Sequence, residues 1–284
     1  MIAIEIPEKN KFLYMPENLA ECDAKQYADF SKLLWMAQEK QISYDQLCYM
    51  AVYPLLNLRK SKKKSPEKYE NIIRLSEYID NFFDKDEEGN FTGIKLEFTK
   101  NYLPKYRLFY SYYGPDDGFS DVTFGQYIDG LDEYIYYSKT GDIKSLRMLF
   151  SIFYLKKNEV YNYRISKKRA EGIFRYVDIR HLYGFFLFFS SMQSFVLQGE
   201  IMVMGNPIDL SIIFTKDEKD TFESTIPGTG FRNIITDMAE SQVFGPYKGV
   251  EKTNLWVVLI RLYELKKKEL DDKEKNKTND STRA

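Results

Sequence analysis

Apolar side chains recur along most of this chain at the three- and four-residue spacing of a helix face. Tyr27, Phe30, Leu33, Leu34, Met36 and Ala37 form one such stripe, and Leu47, Met50, Ala51 and Leu55 form a second, entered at Ser43. Ser43 and Gln46 have the spacing of a capping box, and Pro54 stands where that helix ends or kinks. Ser65-Pro66 reads as a cap followed by proline at the first helical position, leading into Tyr69, Ile72, Ile73, Ile79, Phe82 and Phe83. After the turn-rich stretch 84–90 the period changes. Phe91, Ile94, Leu96 and Phe98 nearly alternate with polar residues, and Tyr106, Leu108, Tyr110 and Tyr112 alternate cleanly. That pattern predicts a β-hairpin within 91–113, turning about 101–104 and closed by the turn Gly114-Pro115-Asp116-Asp117-Gly118.

Helical spacing returns over 127–137 and 143–155, separated by Lys139-Thr140-Gly141-Asp142, and again over 167–199 as one helix or two. Ile and Val content around Gly205-Asn206-Pro207 allows a second short hairpin in 201–214, and 215–230 reads as a polar loop. Phe231, Ile234, Ile235, Met238 and Ala239 form another stripe, and Leu255, Val258, Leu259, Leu262 and Leu265 a last one. The expectation is a mainly α, bundle-like fold with an inserted β-hairpin. It divides into an N-terminal region over 1–115, a C-terminal helical region over 116–265, and a polar tail over 266–284 that is mobile or a fraying helix extension.

Two stretches match at a spacing of one hundred residues. Glu21-Cys22-Asp23-Ala24-Lys25-Gln26-Tyr27-Ala28-Asp29 parallels Asp121-Val122-Thr123-Phe124-Gly125-Gln126-Tyr127-Ile128-Asp129. Each places a cap residue three positions before Gln and an apolar residue before the cap, the elements of a capping box with a hydrophobic staple. Either a helix-pair unit is duplicated or two common capping signatures coincide. In both cases Cys22 occupies the place of Val122, which makes it a staple residue rather than a nucleophile.

Composition narrows the class. The 284 residues are 44% hydrophobic and 29% charged, which is globular, and carry 23 Tyr, 21 Phe and 2 Trp, an aromatic supply beyond what a few helix faces require. A net charge of −1 gives no general attraction to nucleic acid or to an anionic membrane. Two cysteines are too few for a disulfide framework and point to a reducing, cytoplasmic setting. The start of the chain lacks the basic and apolar regions of a signal peptide. The uncharged segment 182–199 is long enough for a membrane span, but Gly184, Ser190, Ser191, Gln193, Ser194 and Gln198 mark it as a buried core helix.

Candidate chemistry is sparse. His181 is the only histidine, so neither a zinc site nor a histidine-based catalytic pair can be composed with two scattered cysteines. The stretch beginning Asp84-Lys85-Asp86-Glu87-Glu88-Gly89 has the acidic spacing of a calcium loop, but Lys95 stands where the bidentate glutamate belongs, so it reads as a polar turn. Gly228-Thr229-Gly230 lacks the preceding strand and nearby lysine of a phosphate loop, and the basic run 59–64 reads as a solvated linker. No cofactor or metal is implied.

Tyr113-Gly114-Pro115-Asp116-Asp117-Gly118-Phe119-Ser120-Asp121-Val122-Thr123-Phe124 with the helix pair through Leu155, and Ala239-Glu240-Ser241-Gln242-Val243-Phe244-Gly245 followed by Thr253-Asn254-Leu255, carry a resemblance. In these stretches the chain resembles a group of proteins encoded in the tail-morphogenesis modules of phages and prophages of Bacteroidetes-type bacteria. It is also similar to tail-assembly chaperones in being helical with a polar C-terminal end. The resemblance implies a non-enzymatic factor of tail assembly, chaperone-like or a minor tail component, located in the cytoplasm of a bacterial host or in the virion. Its partner would be another protein, a phage tail protein, and no catalytic residue is carried over. The alternative is an enzyme whose site uses Tyr, Lys, Asp or Glu without a readable motif. The candidate protein-binding residues are Tyr110, Tyr112, Tyr113, Tyr134, Tyr136 and Tyr137, whose clusters place aromatics on both faces of their elements, one for the core and one for a partner. Self-association, or a merely solvated tyrosine-rich surface, would use the same residues.

Overall fold

The computed structural model describes residues 1–6, 10–59, 65–89, 91–203, 206–214 and 246–281. It is mainly helical with small antiparallel hairpins. The chain opens with a hairpin, β1 (Ile2–Ile6) against β2 (Lys11–Met15), in the register Ile2 to Met15. The helices α1 (Ala24–Gln38), α2 (Tyr44–Leu55) and α3 (Pro66–Ser76) follow. Each starts where its capping chemistry dictates. Asp23 accepts from the Lys25 and Gln26 amides, Ser43 from the Gln46 amide and Ser65 from the Lys68 amide. Pro54 falls in the last turn of α2, which stops one residue later.

A hairpin does lie within 91–113, but the region forms two separate hairpins instead of one turning about 101–104. β3 (Phe83–Lys85) pairs with β4 (Phe91–Ile94) around the acidic turn, with Gly89 at φ 84, and β5 (Lys105–Arg107) pairs with β6 (Ser111–Tyr113). The connecting stretch satisfies its polar groups in the tertiary structure instead of in a ladder. Ser191 Oγ accepts from the Phe98 amide and donates to the Leu96 carbonyl, while Asn101 takes the Leu103 amide on Oδ1 and donates to the Pro115 carbonyl. Pro104 has no amide to offer a ladder.

The second half holds α4 (Phe124–Thr140), α5 (Ile143–Phe153), the two-residue strand β7 (Leu155–Lys156) beside β6, α6 (Tyr163–Glu171) and α7 (Ile179–Gln198). A short hairpin does form in the ambiguous stretch, β8 (Glu200–Val203) against β9 (Asn206–Asp209), followed by a 3₁₀ turn over Leu210–Phe214. The stripe at 231–239, the glycines at 228–230, the resembling stretch 239–245 and the basic run beyond Arg59 lie outside the described residues. The chain closes with α8 (Tyr247–Lys252) and α9 (Leu255–Ser281). The polar end, expected as mobile or as a fraying helix extension, is helical to Ser281. Arg261–Glu264, Lys266–Glu269 and Lys273–Glu269 pairs at three- and four-residue spacing join its turns.

Helix α7 is the centre of the molecule. Its Phe185, Phe188, Phe189, Met192 and Val196 are buried among side chains from both expected regions, so a single core crosses the boundary at 115/116. Several of the polar groups that made 182–199 unlike a membrane span bond across this core, while Ser190 Oγ donates within the helix to the Phe186 carbonyl. The Gly184 carbonyl accepts from Tyr27 Oη at 2.6 Å, Ser191 binds the 96–98 strand segment, and Gln193 Oε1 accepts from Tyr127 Oη. Among the described residues no helix is long and apolar enough to cross a membrane.

The hundred-residue repeat has a structural counterpart. A 3₁₀ turn precedes each helix pair, Leu19–Glu21 before α1 and Asp117–Phe119 before α4, with Leu19 and Phe119 both buried. Cys22 and Val122 follow at equivalent buried positions. Gln26 and Gln126 occupy the same place in the first turn, and each reaches across its pair to an end-of-helix carbonyl: Gln26 Nε2 to Leu55 O at 2.5 Å, Gln126 Nε2 to Ile152 O at 2.8 Å. These carbonyls belong to the last helical turn, where no backbone amide is left to meet them. Gln26→Leu and Gln126→Leu are each expected to cost about 1–3 kcal/mol by leaving a buried acceptor unmet, read as a lower urea midpoint at unchanged m. Midpoints within error of the parent for both would show that the crossing bonds contribute nothing.

Candidate functional site

Alternation along β5 and β6 divides their residues into two faces. Tyr106 and Tyr112 are directly paired across the strands and point into the core, Tyr106 against Phe150 and Tyr112 against Phe174. Lys105, Arg107 and Tyr113 therefore point outward. Three residues, Leu108-Phe109-Tyr110, make the turn, closed by the Leu108 amide on the Tyr110 carbonyl at 3.0 Å. The turn has no core beneath it, so Phe109 is 77% exposed and Tyr110 57%.

Of the six candidate tyrosines the structure brings Tyr110 and Tyr113 together on this hairpin, both exposed. Tyr112 and Tyr137 are core residues at 1% exposure each and are out of reach of any partner, which corrects their assignment to a binding surface. Tyr134 is half-buried, stacked on Phe186 and against Phe189. Tyr136 is exposed on α4, away from the stripe made by Tyr127, Leu131, Tyr134 and Tyr137. Helical spacing alone separates Tyr136 from its neighbours, so that distinction was readable in the sequence.

Phe109, in the same aromatic cluster as Tyr110, joins it at the tip as the most exposed ring of the hairpin. The cations around the tip are brought there by the fold and have no pattern in the sequence. Lys156 Nζ lies 4.1 Å from the Tyr110 ring centre, and Lys105 Nζ 5.2 Å from that of Tyr113. Both arrangements are cation–π contacts at the surface. Below them Tyr113, Pro115, Thr123, Phe153 and the exposed Val160 line a cleft of 390 Å³. On the other side of the sheet the 3₁₀ turn Ile173–Tyr176 sends Phe174 onto Tyr112 and leaves Tyr176 exposed. The hairpin tip with its flanking cations is thus an aromatic, electropositive surface built on a buried tyrosine pair.

The groups that chemistry would need are placed elsewhere. His181 sits in the first turn of α7 with its ring edge-on to Tyr106 at 4.7 Å, and burial pulls its pKa down. Its Nδ1 is buried without a hydrogen-bond partner among the described residues. Burial pushes the Cys22 thiol well above its usual range and the Cys48 thiol up to about 11, so both remain protonated and weakly nucleophilic at neutral pH. Among the described residues no group of three or more His, Cys, Asp or Glu is arranged to hold a metal ion. Compared with known proteins, the chain matches no family model, no curated protein and no solved structure.

Proposed function

We propose that this chain is a non-enzymatic protein-binding factor whose contact surface is the tip of the β5–β6 hairpin, Phe109, Tyr110 and Tyr113, with Lys105 and Lys156 beside it. The observation that carries the reading is the exposure of Phe109 and Tyr110 on a rigidly supported turn. Aromatic side chains bury large area on binding at low entropic cost, and a hairpin anchored by buried Tyr106 and Tyr112 presents them already ordered. The tail-assembly setting rests on the sequence resemblance, and in that setting the partner is a phage tail protein. The test is co-purification of the full chain with the tail proteins encoded beside it, repeated with Phe109→Ala/Tyr110→Ala. The expected result is a complex with one of them that weakens about a hundredfold in the variant, the combined effect of two interface anchors, with melting unchanged. Complexes equally strong with parent and variant, or none at all, would refute the proposal.

A further inference from the structure

A second cleft, of 620 Å³, lies away from the hairpin, where α5 packs against α6. Four of its lining residues are cations. Lys144 and Arg147 come from successive turns of α5, Lys167 from α6 and Arg175 from the 3₁₀ turn that follows α6. Two are acids, Glu133 of α4 and Glu171 of α6. The buried side chains of Met148 and Ala170 contribute apolar surface and Tyr163 also lines the cleft.

The charges are unbalanced at close range. None of the four cations forms an ion pair or a side-chain hydrogen bond among the described residues, in contrast to Arg169 and Arg180, which are fully engaged. Arg147 is the least exposed of the four and has no ion pair or side-chain hydrogen bond among the described residues. A guanidinium matches the geometry of a phosphate or carboxylate, which it can bind through two parallel N–H bonds. Burial, opposed by a hydrogen bond with Ser145 and reinforced by Asp132, Asp129 and Asp142 nearby, pushes the Glu133 carboxyl above the usual carboxylate range.

We infer that this cleft is a binding site for a small polyphosphate-bearing anion, held by Arg147 and Arg175 with Lys144 and Lys167 completing the charge. Its volume suits a small molecule rather than a chain. Two cations on one helix and two on the facing segment suit consecutive phosphoryl groups. The site shares no residue with the hairpin tip, so it stands or falls independently of the protein-binding reading.

The experiment is isothermal titration of the full chain with sodium tripolyphosphate and, separately, with ATP, at low and at physiological salt. Saturable binding of either is expected, weaker as salt screens the cations. Tighter binding of ATP identifies a nucleotide as the source of the phosphates, and equal binding identifies the polyphosphate alone. Arg147→Gln/Arg175→Gln should weaken the affinity about a hundredfold, Glu133→Gln should strengthen it, and Lys32→Gln, an exposed cation on α1, should leave it unchanged. No saturable heat, an equal loss in Lys32→Gln, or preference for a single-stranded oligonucleotide over both small ligands would overturn the assignment.

Discussion

Arg169→Met is expected to destabilise the protein by about 3–5 kcal/mol, the cost of breaking a buried ion pair by removing one partner. Arg169 is buried on α6 and ion-pairs with Glu159 through Nη2, while Nη1 donates to the Tyr154 carbonyl at 2.7 Å. The guanidinium also lies over the rings of Tyr112 and Phe174, 5.4 and 5.8 Å from their centres. Methionine would fill part of the volume but would strand the Glu159 charge and the Tyr154 carbonyl. Adding Glu159→Leu should recover the part of the loss due to the stranded carboxylate, while the part due to the unmet Tyr154 carbonyl remains. Urea unfolding of the two variants measures both effects. A single variant as stable as the parent would mean that water replaces Arg169 at no cost. Because Tyr112 is the inward anchor of β6, faster amide exchange in 105–113 is expected to accompany the single substitution.

Phe119→Ala should cost a similar 3–5 kcal/mol, for a different reason. Phe119 follows Gly118 in the turn before α4, and both adopt the left-handed backbone region, φ 55 and 63. A phenylalanine there carries backbone strain of about 1–2 kcal/mol, which the structure tolerates because the ring sits at the junction of Phe153, Phe188 and Phe189, 5.2–5.7 Å between centres. Alanine keeps the strain and loses the packing. The comparison that isolates burial is Phe109→Ala, where the same truncation at the exposed hairpin tip should change stability by less than about 0.5 kcal/mol. If the two substitutions had equal effects on the thermal midpoint, the core assigned around α7 would be wrong.

The helix starts were legible because their causes are local. A side chain that caps a helix does so within three residues, so Asp23 with Gln26, Ser43 with Gln46, and Ser65 with Pro66 announced α1, α2 and α3, and apolar spacing announced their inward faces. The repeat at one hundred residues was visible for the same reason. Its mechanical content was not, since the bonds from Gln26 to Leu55 and from Gln126 to Ile152 cross between helices. The opening strand has the same local cause, the alternation of Ile2, Ile4 and Ile6.

Of the candidate surface, the sequence alone determined that 105–113 alternates and that aromatics fill both of its faces. Which face is wet depends on what packs beneath it. Phe150 and Phe174 cover Tyr106 and Tyr112, while Phe109 and Tyr110 stay exposed, so equivalent-looking tyrosines separate into anchors and contacts only after α5, α6 and α7 assemble. Strand pairing followed the same rule. Phe91 to Phe98 has a strand's pattern, yet β4 pairs backward with β3, because Ser191 of α7, more than ninety residues away in the chain, takes the backbone bonds a forward hairpin would have made. The cation cleft was hidden most completely. Lys144 and Arg175 are ordinary solvated charges in a nearly neutral sequence, and their meeting is created by the packing of α5 on α6. Short-range hydrogen bonding and periodicity act within a few residues and so can be read along a chain. Exposure, pairing partners and local potential are sums over neighbours in space, and the tertiary structure decided them.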